Sequence, residues 1–195
     1  MHHNGFGLQV VVDGRPLPEF GHEGKNCVVA ALGRDYAVRL YVPRIAAAGM
    51  RYLAVLSVDG LDAINGKIMS PDGPGYILEP CQHPYDIPGF QITSGHVAPF
   101  RFGQRTDGYA AAFDTPTSPG NITVVFFEEH RLTDNDAVMW GMFMGEMIPA
   151  SGLCCNRSTQ EIIANPDQCR EHKVDMSYFS RGKEVRRFSL QCVTR

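Results

Sequence analysis

Nowhere does this sequence hold the roughly 20 consecutive apolar residues that a membrane helix requires. Its longest apolar stretch, Ala137 to Met147, is broken by Gly141, Gly145 and Glu146. The N-terminal region lacks a basic start followed by a long apolar core, and the piece from Leu8 to Val12 is too short for a secretory signal. Excess positive charge is missing too. With 18 basic and 21 acidic residues the net charge is −3, which offers no broad attraction to nucleic acid or to an anionic membrane. The basic cluster Arg181, Lys183, Arg186 and Arg187 is interrupted by Glu184 and reads as a solvated hairpin face. These deficits predict a cytoplasmic or particle-borne chain whose partners include neither nucleic acid nor membrane.

Catalytic signatures are equally scarce. The sequence contains no Gly-x-Ser-x-Gly, no His-Glu-x-x-His and no phosphate-cradling glycine loop. Glu128 and His130 alternate along one run, so a carboxylate could orient an imidazole there, but no nucleophile accompanies them, and the reading is a polar strand end. Helical stretches are rare as well. Only Arg44–Met50 and the segment from Ser158 to Pro166 have helical character, and each spans a turn or two.

Glycine and proline, by contrast, are abundant, at 20 and 13 of 195 residues. They sit between short apolar runs rather than in tracts, which leaves room for strands of about 5–6 residues and little for helices. Tyr36–Val42 alternates with a period of two, as a half-buried strand must. Tyr52–Val58 is apolar throughout and predicts a central strand, and Asn121–Glu129 gives the strongest strand signal. Further strands are predicted at Leu8–Val12, Asn26–Leu32, Gly75–Leu78, Ile87–Ile92, Val97–Phe102, Tyr109–Phe113 and Val138–Met144. A final hairpin is predicted with arms Val174–Phe179 and Val185–Val193 and a turn at Ser180–Lys183. Asp13-Gly14, Asp59-Gly60 and Asn65-Gly66 supply residues that tolerate the positive φ of tight turns. Together these features predict an all-β chain: one antiparallel β-sandwich or jelly-roll-like domain over residues 1–195. Its core would span 8–148, with a Cys-containing loop insertion over 149–170 and the hairpin over 172–195.

The pieces Ser57–Lys67, Gly75–Pro80, Ile87–Ile92, Ala98–Gly103 and Tyr109–Ala111 form a recurring pattern. Over about Leu8 to Glu129 it resembles a widespread family of bacterial β domains that reads VSVDGLNVIDGK, GYVL-P, I-GWR, AAFRFG and SYA. The family has no established activity, so the resemblance implies a β fold and no site. This chain departs from the pattern in having Phe90 where the family has Trp, and in its Cys-rich segment.

Six cysteines are present, four of them after residue 150. Cys169 and His172 have a Cys-x-x-His spacing that can present two ligands to zinc, with Cys154 or Cys155 and Cys192 able to complete a tetrahedral set. A rival reading is a disulfide among Cys154, Cys155, Cys169 and Cys192. Closing a loop of about 15 residues would stabilise by about 3 kcal/mol in the chain-entropy picture. The third reading, free buried thiols packed as small apolar groups, carries the most weight. No metal or cofactor is therefore assigned.

Asp59 and Asp62 flank the Gly60 turn, and the expectation for Asp59 is a hydrogen bond to its own turn backbone rather than a calcium site. Asp134 and Asp136 read the same way, and His22, His83 and His96 share no spacing. The aromatics Tyr76, Tyr85, Phe90, Phe100, Phe102, Tyr109 and Phe113 either fill the core or stack on sugar rings; alternation around Arg101 favours the core.

The function expected is that of a non-enzymatic building block of a larger assembly, with other protein subunits rather than a small molecule as partners. Its most concrete form is a minor capsid or cementing protein of a viral or virus-like particle. The alternatives are a carbohydrate- or polymer-binding module and a metal-dependent enzyme built on the Cys/His segment.

Overall fold

Among the described residues the regular structure is β-strand, most of it where alternation or β-branched runs demand it. A computed structural model describes residues 1–44, 50–80, 82–93, 96–103, 119–130, 170–171 and 179–194. In chain order the strands are β1 (His2–His3), β2 (Phe6–Val12), β3 (Arg15–Pro16), β4 (Glu19–His22) and β5 (Lys25–Val29). Then come β6 (Asp35–Tyr41), β7 (Tyr52–Val58), β8 (Leu61–Asp62), β9 (Tyr76–Leu78) and β10 (Tyr85–Ile87). Last are β11 (Gly89–Thr93), β12 (His96–Arg101), β13 (Asn121–Glu129), β14 (Arg170–Glu171) and β15 (Arg181–Val193).

They form two sheets packed as a β-sandwich. The first runs β1-β2-β6-β12-β11, with β3 on β2, β10 on β6 and β14 on β12. The second runs β4-β5-β15-β13-β7-β8, with β9 on β7. The main core lies between them. Leu8, Val10, Val38 and Leu40 from the first sheet meet Ala54, Leu56, Ile122, Val124, Phe126 and Leu190 from the second. Phe6 bridges the layers, its ring centroid 5.1 Å from those of Tyr52 and Phe126. Period-two burial of β6 follows its sequence alternation, and β7 is buried at every residue, as a central strand is.

β7 is covered on both faces because a second apolar cluster sits outside the second sheet. Leu53, Val55, Val125 and Phe127 point away from the main core, and Phe179 packs on them. Arg51 lies 5.9 Å over the Phe179 ring and Arg181 lies 4.9 Å over Phe127, so two guanidinium groups border the patch.

Four tight turns share one chemistry. Asn4-Gly5, Asp13-Gly14, Glu23-Gly24 and Asp59-Gly60 all have positive φ at both residues, the type I′ geometry that suits strand twist. Three expectations need correction. Ser180–Lys183 is not a turn, because β15 begins at Arg181 and Arg181 pairs with Glu129. Gly182 is there for another reason: a Cβ on it would lie 2.8 Å from Glu128 O, where the β13–β15 ladder is bulged. The predicted strand Ile87–Ile92 is two strands separated at Pro88. The pairing is also not wholly antiparallel, since β15 runs parallel to β5. The predicted strands at Tyr109–Phe113 and Val138–Met144, the arm up to Tyr178, and residues 45–49 of the predicted helical turn lie outside the described residues.

The chain leaves β13 and re-enters at β15 at one place. His130 N–H donates to Ser180 O at 2.7 Å, and Glu129 pairs with Arg181 just inside that bond. The long connection containing the four C-terminal-side candidates Cys154, Cys155, Cys169 and His172 therefore has a closed neck.

Candidate functional site

Surface chemistry begins at the β4–β5 hairpin. All four residues of β4 are exposed, as are Glu23 to Asn26, and Phe20 keeps 40% of its surface in solvent. β4 ends its sheet, so one of its backbone edges has no neighbouring strand among the described residues. Beside the hairpin, Lys25, Asn26, Asn121, Ser189 and Gln191 line a shallow cleft of about 320 Å³. Its floor is preorganised. Ser189 Oγ donates to Asn121 Oδ1 at 2.8 Å, Asn121 Nδ2 donates to Thr123 Oγ1 at 3.1 Å, and Gln191 Nε2 donates to Pro119 O at 3.0 Å. A second cleft of about 280 Å³ is lined by His2, Tyr41, Arg44, Gln82 and His83.

The self-bonding turn carboxylate expected at Asp59 is found at Asp62 instead. Asp59 does not bond its own turn; its Oδ1 accepts from Gly120 N–H at 2.6 Å and ties the β7–β8 turn to the start of β13. Asp62 is the one that holds its own turn, its Oδ1 accepting from Ile64 N–H at 2.9 Å and Asn65 N–H at 3.0 Å. Asp62 is 1% exposed, and its Oδ2 and the Tyr76 hydroxyl have no hydrogen-bond partner among the described residues. Burial raises its pKa from 3.8 to about 6 against the opposing pull of the two N–H bonds. The same burial, with the Asp62 charge nearby, raises Tyr76.

Of the Cys/His candidates, Cys154, Cys155, Cys169 and His172 lie outside the described residues. Cys192 sits in β15 as a free thiol, as does Cys27 in β5. Burial, then the nearby Asp59 and Cys27, pushes the Cys192 thiol up to about 12, which keeps it protonated and unreactive at neutral pH. Among the described residues no group of three or more His, Cys, Asp or Glu side chains is placed to hold a metal ion. Glu128 meets Lys183, with 3.3 Å between its carboxylate and Nζ, and His130 contributes its backbone to the neck. Three of the four basic-cluster residues meet acceptors: Arg187 bonds Glu184 at 2.8 Å, Arg181 donates to Gly73 O at 2.5 Å and Lys183 lies 3.3 Å from Glu128.

The aromatics follow the core reading. Tyr76, Phe90, Phe100 and Phe102 are buried, with Tyr36 stacked on Phe102 at 4.3 Å. Tyr85 donates its hydroxyl to Glu79 O at 2.8 Å, and Tyr109 and Phe113 lie outside the described residues. Sequence reasoning missed β4, the hairpin edge. Its four residues hold one large apolar side chain and no alternation, so only the Pro18 before it and the Glu23-Gly24 turn signalled it.

No family model, curated protein or solved structure matches this chain. No helix among the described residues is long and apolar enough to cross a membrane.

Proposed function

We propose that this chain is a non-enzymatic structural and interaction module of a larger protein assembly, in its most concrete form a minor capsid or cementing protein of a viral or virus-like particle. The observation that carries this reading is the β4–β5 hairpin, an exposed β edge with Phe20 displayed beside it. Exposed edges invite strand addition, and monomeric sandwiches commonly blunt them. The particle itself is a fold-level analogy to the sandwiches and jelly rolls of capsids. The test is sedimentation of the native protein from its source. Stoichiometric recovery with a large particle supports the reading, and recovery solely as a free monomer sinks it.

A second reading has its own observation. The cleft at Asn121, Ser189 and Gln191 presents amide and hydroxyl groups fixed by neighbouring bonds, which suits a polyhydroxylated polymer such as a glycan. A glycan array decides it: saturable binding lost in Ser189→Ala and Gln191→Ala favours this reading over the first.

A further inference from the structure

The Glu23-Gly24 turn has φ of 49° and 74°, so the β4–β5 hairpin closes on a two-residue type I′ turn. Such a turn makes its flanking residues, His22 and Lys25, a hydrogen-bonded pair. Antiparallel ladders alternate, so Phe20 and Cys27 form the next hydrogen-bonded pair. Glu19 and Gly21 consequently turn their N–H and C=O groups away from β5, toward the open edge.

We infer that this edge pairs antiparallel with β4 of a second copy, about a twofold axis perpendicular to the sheet and midway between the two Phe20 residues. The inference deepens the assembly reading and rests on it. A twofold axis of that kind keeps the two faces of the sheet continuous only if opposed residues have the same parity, so the register must be centred on a residue. Centring on Gly21 sets Glu23, which is in a positive-φ turn, against Glu19 and leaves one symmetric hydrogen-bonded pair. Centring on Glu19 sets two carboxylates face to face. Centring on Phe20 makes Glu19 and Gly21 a hydrogen-bonded pair, repeated by symmetry, for four backbone hydrogen bonds.

The rest of the strand fits that register. Within β4 and its preceding residue, charged or polar residues fall opposite uncharged ones: Glu19 meets Gly21 and His22 meets Pro18. Gly21 has nothing within 4 Å of where a Cβ would stand, so the Glu19 side chain of the second copy has room. Pro18 has the parity whose N–H would point back into its own sheet, so its missing donor costs the interface nothing. Phe20 meets Phe20 at a non-hydrogen-bonded position, where opposed side chains lie closest, and its exposed ring surface is covered. The two copies would share one continuous sheet through an isologous contact.

Sedimentation equilibrium of the purified full chain tests this. The expected result is a dimer whose dissociation constant rises about tenfold or more in Gly21→Pro, which removes an edge N–H twice per dimer. An unchanged thermal midpoint of that variant shows that the fold survives. Phe20→Cys in a Cys27→Ser background should give a disulfide-linked dimer on mild oxidation, whereas Lys25→Cys in the same background should not. A wild-type chain that remains monomeric at about 100 μM overturns the pairing, as does a dimer unaffected by Gly21→Pro. A monomer that still sediments with a particle would sink this inference and leave the assembly reading standing.

Discussion

Asp62 shows how a single carboxyl can set a pH dependence from inside a turn. Its folded pKa of about 6 lies above its ordinary 3.8, so the folded state holds a proton that the unfolded chain has released between those values. The stability tied to that proton is complete below about pH 3.8 and is lost as pH rises through 6. Asp62→Asn keeps the Oδ1 acceptor for Ile64 and Asn65 but cannot ionise. It should therefore raise unfolding free energy at pH 7.5 by about 3 kcal/mol and change it little at pH 3.5, read by urea denaturation at both values. An equal gain at both would show that charge is not the cause. Residue identity was legible in the sequence where glycine meets positive φ, as at Gly14 and Gly60. It was not legible where glycine serves close packing. A Cβ on Gly89 would lie 1.9 Å from Ala98 O, yet in sequence Gly89 is only one residue of the predicted strand Ile87–Ile92. A conformational requirement and a spatial one select the same residue, and only the neighbouring strand distinguishes them.

Strand β15 shows the same ambiguity at the level of an element. Its interior could be read from Val185 onward, but its start could not, because Arg181 and Gly182 carry no alternation. What holds that start is remote in sequence. The Arg181 guanidinium donates to Pro71 O and Gly73 O and lies over Phe127, fastening the β8–β9 connection to the outer apolar patch. Arg181→Ala should cost about 1–3 kcal/mol in urea denaturation, from lost bonds to carbonyls and lost ring contact. Arg181→Lys should recover less than half, since a single ammonium cannot fork to both carbonyls. Full recovery by lysine would mean that charge alone matters there. β4 was illegible for the opposite reason. An edge strand has little burial to enforce a pattern, so the element with the most to offer a partner left the faintest trace in the sequence.

For the molecule as a whole, the two-layer architecture was legible because its core strands alternate or run apolar, and each such run must be covered. The polar, proline-containing composition of residues 149–170 reads as an insertion, and apart from Arg170 that segment lies outside the described residues. The anchoring of the connection between β13 and β15 was not legible, since the neck bond from His130 to Ser180 joins residues far apart in sequence. Replacing residues 131–178 by Asn-Gly strips the two-residue β14 from β12 but should still leave a cooperatively unfolding, strand-rich protein by far-ultraviolet dichroism, because the ends already meet. Loss of cooperative unfolding in that variant would show that the insertion is part of the fold.

The order of strands in the second sheet has one more consequence. β15 follows every other described strand in the chain, yet it lies between β5 and β13. While the polypeptide is being made, β4–β5 can pair as a local hairpin and β13 can pair with the distant β7, but they remain two unjoined ribbons until β15 emerges from the ribosome. The joining segment must slot into a waiting gap, parallel to one bank and antiparallel to the other. From the synthesis of β13 until that of β15, nascent chains therefore carry two sticky flanks, and that exposure to aggregation ends only when β15 has paired with both.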